Sequence, residues 1–417
     1  MQWTPERTGK KRRGHHLILA GILLAQAIRA ALLTRDESLS VHEATTIATG
    51  RTLLDAWWSG GPALHHSSSF TGVPELYPVF AAVVNSLGGF ELVRYTSLLF
   101  MLGATSLAYL VGRRLFSTSA GLLAAASFVT VAGTQQMGSL ATNGALALLL
   151  VAAAAAVVVR YSTELAMLPR SGAVLGAPIL VLADLIRYGS LEFDPIVLGL
   201  VLVITWERYD LRLAVRQTVI FGAVVIALLV AISDFAGTAF TWDAVKGTFA
   251  GPPSNVPRGT ILRVSVEWIG PLAGLALLAA GALVLWRASD RFQPRSPWTR
   301  PTGVGVVLAL AVLVAPLNQL RTGRSQALID HVAVGAWFAA IIVGFLLAQI
   351  VARKHWASRC ISLVAVVVVL AGLFGAGVHQ SGQLSGTVAG SSTSVRGLRP
   401  LEIPTDTAAP KPREVQR

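Results

Sequence analysis

The sequence predicts an all-α, polytopic transmembrane bundle of about eleven spans, and three observations carry that prediction. Hydrophobic residues make up 53% of the 417 positions and charged residues only 13%. The apolar residues come in blocks of roughly 15 to 22, near the roughly 20 that a helix needs to cross a hydrocarbon core. With the "RTGKKRRGHH" start placed in the cytoplasm, basic residues concentrate in the short loops on that side, as the positive-inside rule requires. The net charge of +13 would suggest nucleic acid in a soluble chain; here it is mostly a topology signal, and no nucleic-acid partner is expected.

Residues 1–15 form a basic cytoplasmic N-terminus. The run 16–33 is not a cleaved secretory signal, because no A-x-A-like site follows and Arg29 interrupts it; it is the first span, with Arg29 near enough to the outer end to snorkel. A long outer segment, 34–91, follows. Within it Ser40 and Glu43 make a capping box that starts a helix at Val41, and Trp57 and Trp58 mark that helix, 41–58, as interfacial. "SGGPALHHSSSFTG" is a loop in which His65 and His66 are solvated, and 75–87 is a second short helix opened by proline.

Further spans are predicted at 92–112, 118–134, 143–159, 172–187, 194–206 and 217–233. The outer segment 234–263, with "FTWDAVKGTFAGPPSNVPRG", has the composition of an interfacial lid. Spans at 264–286, 303–319, 332–351 and 360–378 complete the transmembrane domain, which covers 16–378. "RASDRFQPRSPWTRP" is a basic inner linker, and 379–417, rich in Ser, Gly, Thr and Pro, is expected to be a flexible outer tail. The chain is thus expected in the cell membrane, multi-pass, with its C-terminus extracytoplasmic.

Several chemistries are excluded. Cys360 is the single cysteine, so there is no internal disulfide framework and no Cys/His zinc cluster. "HEATT" lacks the second histidine of a zinc protease, since position 46 is Thr, and no Walker loop cradles a nucleotide. What remains lies at the outer ends of the spans. Asp36 and Glu37 follow the first span and either solvate its end or supply a general base. Arg187 and Tyr188 end the span at 172–187, where Arg187 either binds a phosphate or pairs with Asp184, Glu192 or Asp194. Asp184 lies about a turn inside that span and is expected to face the bundle interior. The last outer loop gathers Arg321, Arg324, Asp330 and His331, either an exposed interfacial loop or a patch suited to a membrane-borne phosphate.

The ordered stretches "RDES", "LYPVFAAVVNSLGGFELVRYTSLLFMLGATSLAYLVGRRLF" (76–116), "GSLATNGALALLLVAAA" (138–154), "LADLIRYGSLEFDPIVL" (182–198) and "SQALIDHVAVGAWFAAI" (325–341) resemble the GT-C superfamily of membrane glycosyltransferases. The branch they resemble holds the protein O-mannosyltransferases and aminoarabinose transferases, as a divergent, actinobacterial-type member. The resemblance implies a GT-C-like bundle with an outer cavity. That cavity would receive a polyprenyl-phosphate-linked sugar from the membrane lipid and an acceptor, which is a protein, a lipid or a glycan. It implies Asp36 as catalytic base, with Glu37 beside it to orient it or to share a possible divalent metal. It implies Arg187, His331, Arg321 and Arg324 as ligands of the donor phosphate, with Arg94, Asn143, Tyr188 and Asp330 around the cavity. No other cofactor is implied.

Three departures from the pattern stand out. "ATNGA" puts Asn143 and Gly144 where relatives carry an aspartate; Arg187 and Asp330 stand where lysines are usual; and a short tail replaces a folded outer domain. Two alternatives therefore stay open, a catalytically silent scaffold in envelope assembly and a transporter.

Overall fold

The computed structural model describes residues 9–36, 40–60, 76–163, 172–236, 257–289, 302–322, 328–352 and 356–393. Among them there is no strand, and the helices are α1 (Gly9–Asp36), α2 (Val41–Ser59), α3 (Leu76–Leu115), α4 (Thr118–Val129), α5 (Ala132–Met137), α6 (Asn143–Thr163), α7 (Gly176–Ile186), α8 (Asp194–Arg208), α9 (Leu211–Ala236), α10 (Arg258–Ser289), α11 (Thr302–Thr322), α12 (Leu328–Val351) and α13 (Trp356–Thr393). Short 3₁₀ turns at Gly172–Leu175 and Tyr188–Phe193 flank α7. Nine described helices are long and apolar enough to cross a membrane, and Thr118–Val129 and Gly172–Ile186 are shorter apolar helices; together they account for the eleven expected spans. The protein is an all-α, multi-pass membrane bundle.

Two elements differ from what composition alone suggests. The span expected at 118–134 is broken: α4 ends at Val129, Thr130 hydrogen-bonds back to the Ser127 carbonyl at 2.6 Å, and Val131 is extended before α5 begins. The helix of α13 continues to Thr393, where a flexible tail was expected from 379. Its docking is specific. Arg29, expected to snorkel, instead donates to Ser381 Oγ at 2.8 Å and to Gln135 Oε1 and the Val378 carbonyl, each at 3.3 Å, so α1, α5 and α13 meet at one guanidinium. The glycine pair Gly88–Gly89 breaks α3 into the short helix and the span read from the sequence, with Gly89 at φ 72°.

The bundle is organised around α12. Trp337, Phe338 and Ile341 on it are fully buried, and the Trp337 indole N–H donates to the Ala104 carbonyl at 2.8 Å. Small residues let neighbouring backbones approach, the usual device where lipid gives no hydrophobic drive for helices to associate. At Gly344 an added Cβ would lie 2.4 Å from both the Ala120 carbonyl oxygen and the Ala124 nitrogen. Those neighbours are backbone, so they cannot swing aside. Gly344→Ala is therefore expected to lower stability by about 1–3 kcal/mol, the range for overpacking, and Gly344→Leu by more, read as a lower unfolding temperature in detergent.

Candidate functional site

One end of the bundle carries two polar assemblies, built from residues far apart in sequence. The first forms around Glu43, which is fully buried. The capping box is as expected: Ser40 is extended, its hydroxyl accepts the Glu43 N–H at 3.2 Å, and Glu43 Oε2 accepts the Ser40 N–H at 3.0 Å. The same carboxylate also takes Arg94 in a two-pronged ion pair, Nε to Oε1 at 3.1 Å and Nη2 to Oε2 at 2.9 Å, and accepts the Ala141 N–H at 2.7 Å. Arg94 is itself 2% exposed, stacks 4.4 Å from the Phe90 ring centre, and donates from Nη1 to the Thr34 carbonyl at 3.3 Å. Charge-assisted and bidentate, this is the strong form of hydrogen bond. It joins the end of α1, the start of α2, the spanning half of α3 and the loop that leads into α6.

The second assembly centres on Glu192 in the 3₁₀ turn after α7. His331 Nδ1 lies 3.0 Å from Glu192 Oε2, both side chains being nearly buried. Asn318 Nδ2 donates to Glu192 Oε1, and Arg321 Nη2 donates to Asn318 Oδ1 at 3.0 Å, so a polar chain runs His331, Glu192, Asn318, Arg321. The imidazole is set by glycine: a Cβ on Gly189 would sit 2.4 Å from its Cε1, so only a residue without a side chain lets the turn close over the ring. With Nδ1 paired to Glu192, Nε2 is the nitrogen whose role depends on protonation, an acceptor in the neutral ring and a donor in the imidazolium.

The remaining expected residues divide by where they lie. Asn143 starts α6 and its Nδ2 donates to the Ile186 carbonyl at 3.4 Å, one residue before Arg187. Arg187 is extended and half-buried, and Tyr188 is buried in the following turn. Arg321 is exposed at the end of α11. Asp36 is the last residue of α1, two positions after the Thr34 carbonyl that Arg94 holds; its side chain lies outside the described residues. Glu37 and Arg324 lie outside the described residues altogether, and Asp330 is described only as part of α12. The expected metal contact on Asp36 and Glu37 falls outside with them, and among the described residues no group of three or more His, Cys, Asp or Glu side chains is placed to hold a metal ion.

Asp184 does face the interior, as the sequence suggested, with no exposure at all. Neither of its oxygens has a hydrogen-bond partner among the described residues, nor does Asp194 Oδ1, and the two carboxyls interact electrostatically. A buried carboxyl without a hydrogen-bond partner is costly.

No protein-family model matches the chain, and no curated protein sequence matches it. Solved structures do. The apo oligosaccharyltransferase of the archaeon Archaeoglobus fulgidus superposes with a TM-score of 0.56 over 90% of this chain, at 12% sequence identity. The two share a fold. The same archaeal enzyme, AglB, in complex with an inhibitory peptide and a dolichol-phosphate gives 0.53 at 14% identity over 90% of this chain and 56% of that one. Tethered to an acceptor peptide containing the NVT sequon, it gives 0.51 at 12% identity over 87% and 55%. This chain spans 57% of the apo enzyme's length, and at such identities the likeness is one of fold.

Sequence reasoning passed over three residues of these assemblies. Glu43 was readable as a cap but not as the partner of Arg94, 51 positions away. Glu192 stands in the sequence beside Arg187, and its contact with His331 is 139 positions away; Asn318 carries no signal beyond being polar near the end of a span.

Proposed function

We propose that this protein is a membrane glycosyltransferase that moves a sugar from a polyprenyl-phosphate donor to an acceptor at the outer face of the membrane, with inversion. The observation that carries the reading is the polar end of a GT-C-like bundle, where His331, Glu192, Asn318 and Arg321 form one hydrogen-bonded chain. The solved relative in fold binds a dolichol-phosphate, a lipid of the same chemical class as the proposed donor. In the proposed step the acceptor's hydroxyl oxygen attacks C1 of the sugar while the bond from C1 to the phosphate oxygen breaks. Asp36 takes the acceptor's proton, with Glu37 orienting it or sharing a divalent metal. The electron pair leaves on polyprenyl phosphate, whose charge is met by Arg187, His331, Arg321 and Arg324. Asn143, Tyr188, Asp330 and Arg94 surround or support this cavity. The acceptor is a protein, a lipid or a glycan.

The test is transfer of radiolabelled sugar from polyprenyl-phosphate donors into membranes containing the protein. His331→Ala is expected to raise KM for the donor by about tenfold or more, as loss of a charge-assisted phosphate contact does, with a smaller fall in kcat. An unchanged donor KM removes His331 from the phosphate site. A second reading, the catalytically silent scaffold, draws on Asn143, because an amide can neither take a proton nor carry the charge of the aspartate usual in relatives. That reading requires that no donor in the panel supports transfer.

A further inference from the structure

Glu192 is assigned no part in the proposed reaction, yet it holds a residue that is. His331 stands near the start of α12, whose backbone is well fixed: Trp337 and Phe338 further along are fully buried. Phe338 also stacks on Phe193, the residue after Glu192, with ring centres 6.4 Å apart, so the 3₁₀ turn and α12 are set against each other. Backbone position alone does not fix the imidazole. Rotation about the histidine Cβ–Cγ bond is broad and roughly two-fold, and a half-turn exchanges each ring nitrogen for a carbon. Two contacts remove that freedom. Glu192 Oε2 lies 3.0 Å from Nδ1, and Gly189 lies against the Cε1–Nε2 edge, where an added Cβ would come within 2.4 and 2.6 Å.

Glu192 is itself held. Its side chain is 4% exposed, Oε1 accepts from Asn318 Nδ2 and Oε2 faces His331, so each oxygen has a partner. An ionised carboxylate only accepts, so the proton between Oε2 and Nδ1 belongs to the ring. Nε2 is then the nitrogen left to meet a ligand, and it has no hydrogen-bond partner among the described residues. What a carboxylate adds here over an apolar side chain of similar size is direction: it selects one of the two ring orientations and one tautomer.

We propose that Glu192 is a positioning residue, which fixes the His331 ring so that Nε2 faces the phosphate of the lipid-linked donor and which acts on that phosphate only through His331. This role rests on the assignment of His331 to the donor phosphate; the hold of Glu192 on the ring does not. With a phosphate oxygen at Nε2 and Glu192 at Nδ1, the imidazolium donates from both nitrogens to two anions. Asn318 keeps the carboxylate in place from the other side, because its amide donates to Oε1 while its own oxygen accepts from Arg321.

Two measurements on the full-length protein test it. In sugar transfer from polyprenyl-phosphate donors, Glu192→Leu is expected to raise the donor KM by about tenfold, as His331→Ala does, with a smaller fall in kcat. E192L/H331A is expected to stay within about twofold of H331A alone, because a residue that acts only through the ring then has nothing to act on. KM increases that instead multiply, to about a hundredfold, overturn the role and leave Glu192 a structural residue. Solid-state nitrogen NMR of protein labelled in its histidine rings, with H331A identifying the His331 signals, reads the ring directly. At alkaline pH, where a free imidazole is neutral, wild-type His331 is expected to carry its proton on Nδ1 and E192L to lose that preference. An unchanged His331 spectrum in E192L overturns the hold on the ring whatever the kinetics show. If H331A leaves the donor KM unchanged, the phosphate assignment has failed and the positioning role falls with it, even where the spectrum shows that Glu192 holds the ring. Should E192L not yield monodisperse protein, E192Q, which offers one oxygen to two donors, takes its place in both measurements: about a threefold rise in donor KM supports the role and no rise overturns it.

Discussion

Asp36→Asn is expected to lower sugar transfer by about 10²- to 10⁴-fold, the contribution of a positioned general base, while leaving membrane insertion and folding intact. The amide keeps the size and shape of the carboxylate and loses only its capacity to take a proton. Folding should be indifferent, because Asp36 is the last residue of α1 and a carboxylate at a helix C-terminus works against the macrodipole. The backbone just before it is tied down elsewhere, through the Thr34 carbonyl and Arg94. Incorporation of labelled sugar, normalised to protein in the membrane, is the measurement. Wild-type incorporation in the variant would sink the base assignment and shift weight to the scaffold reading that Asn143 already favours. The fold would be untouched by that outcome, since it rests on the superposition with the archaeal enzyme.

How much of this was legible in the sequence depends on the range of the interaction. Spans were, because a run of apolar residues needs no partner to be recognised; even the helix from Val41 and the break at Gly88–Gly89 follow from local rules of capping and glycine conformation. Breaks that tertiary contacts decide were not. Thr130 interrupts the span at 118–134, and nothing in "SFVTVAGTQQMG" distinguishes that threonine from others in spans. The tail from 379 has the composition of a disordered segment, yet Ser381 meets Arg29 across 352 positions and holds α13 to the bundle. For the candidate site the pattern repeats. Residue types pointed to His331 and Arg187 as cations at one end, whereas the pairing of His331 with Glu192 spans 139 positions and that of Arg94 with Glu43 spans 51. Patterning reports which face a residue takes; it does not report which residue faces it.

The Glu43–Arg94 pair makes the sharpest prediction about stability. Arg94→Met removes the cation and leaves the Glu43 carboxylate buried, with only the backbone N–H groups of Ser40 and Ala141 to meet its charge. Breaking one side of a buried pair costs about 3–5 kcal/mol, because the surviving charge keeps its desolvation penalty and loses its compensation. A large fall in unfolding temperature in detergent is therefore expected. E43Q/R94M should recover much of the loss: no charge remains, and the glutamine carbonyl can still accept one of the two N–H groups. If the double variant is as unstable as Arg94→Met alone, the cost lies in lost packing against Phe90 and not in the orphaned charge. The contrast also reaches function. In E43Q/R94M the Thr34 carbonyl has lost its donor and the Ala141 N–H has at best a neutral acceptor, so the end of α1 and the start of α6 are no longer held by one group. A protein restored in stability but still deficient in transfer would mean that the pair acts by positioning Asp36 and Asn143, whereas full activity in the double variant would confine its role to holding the fold.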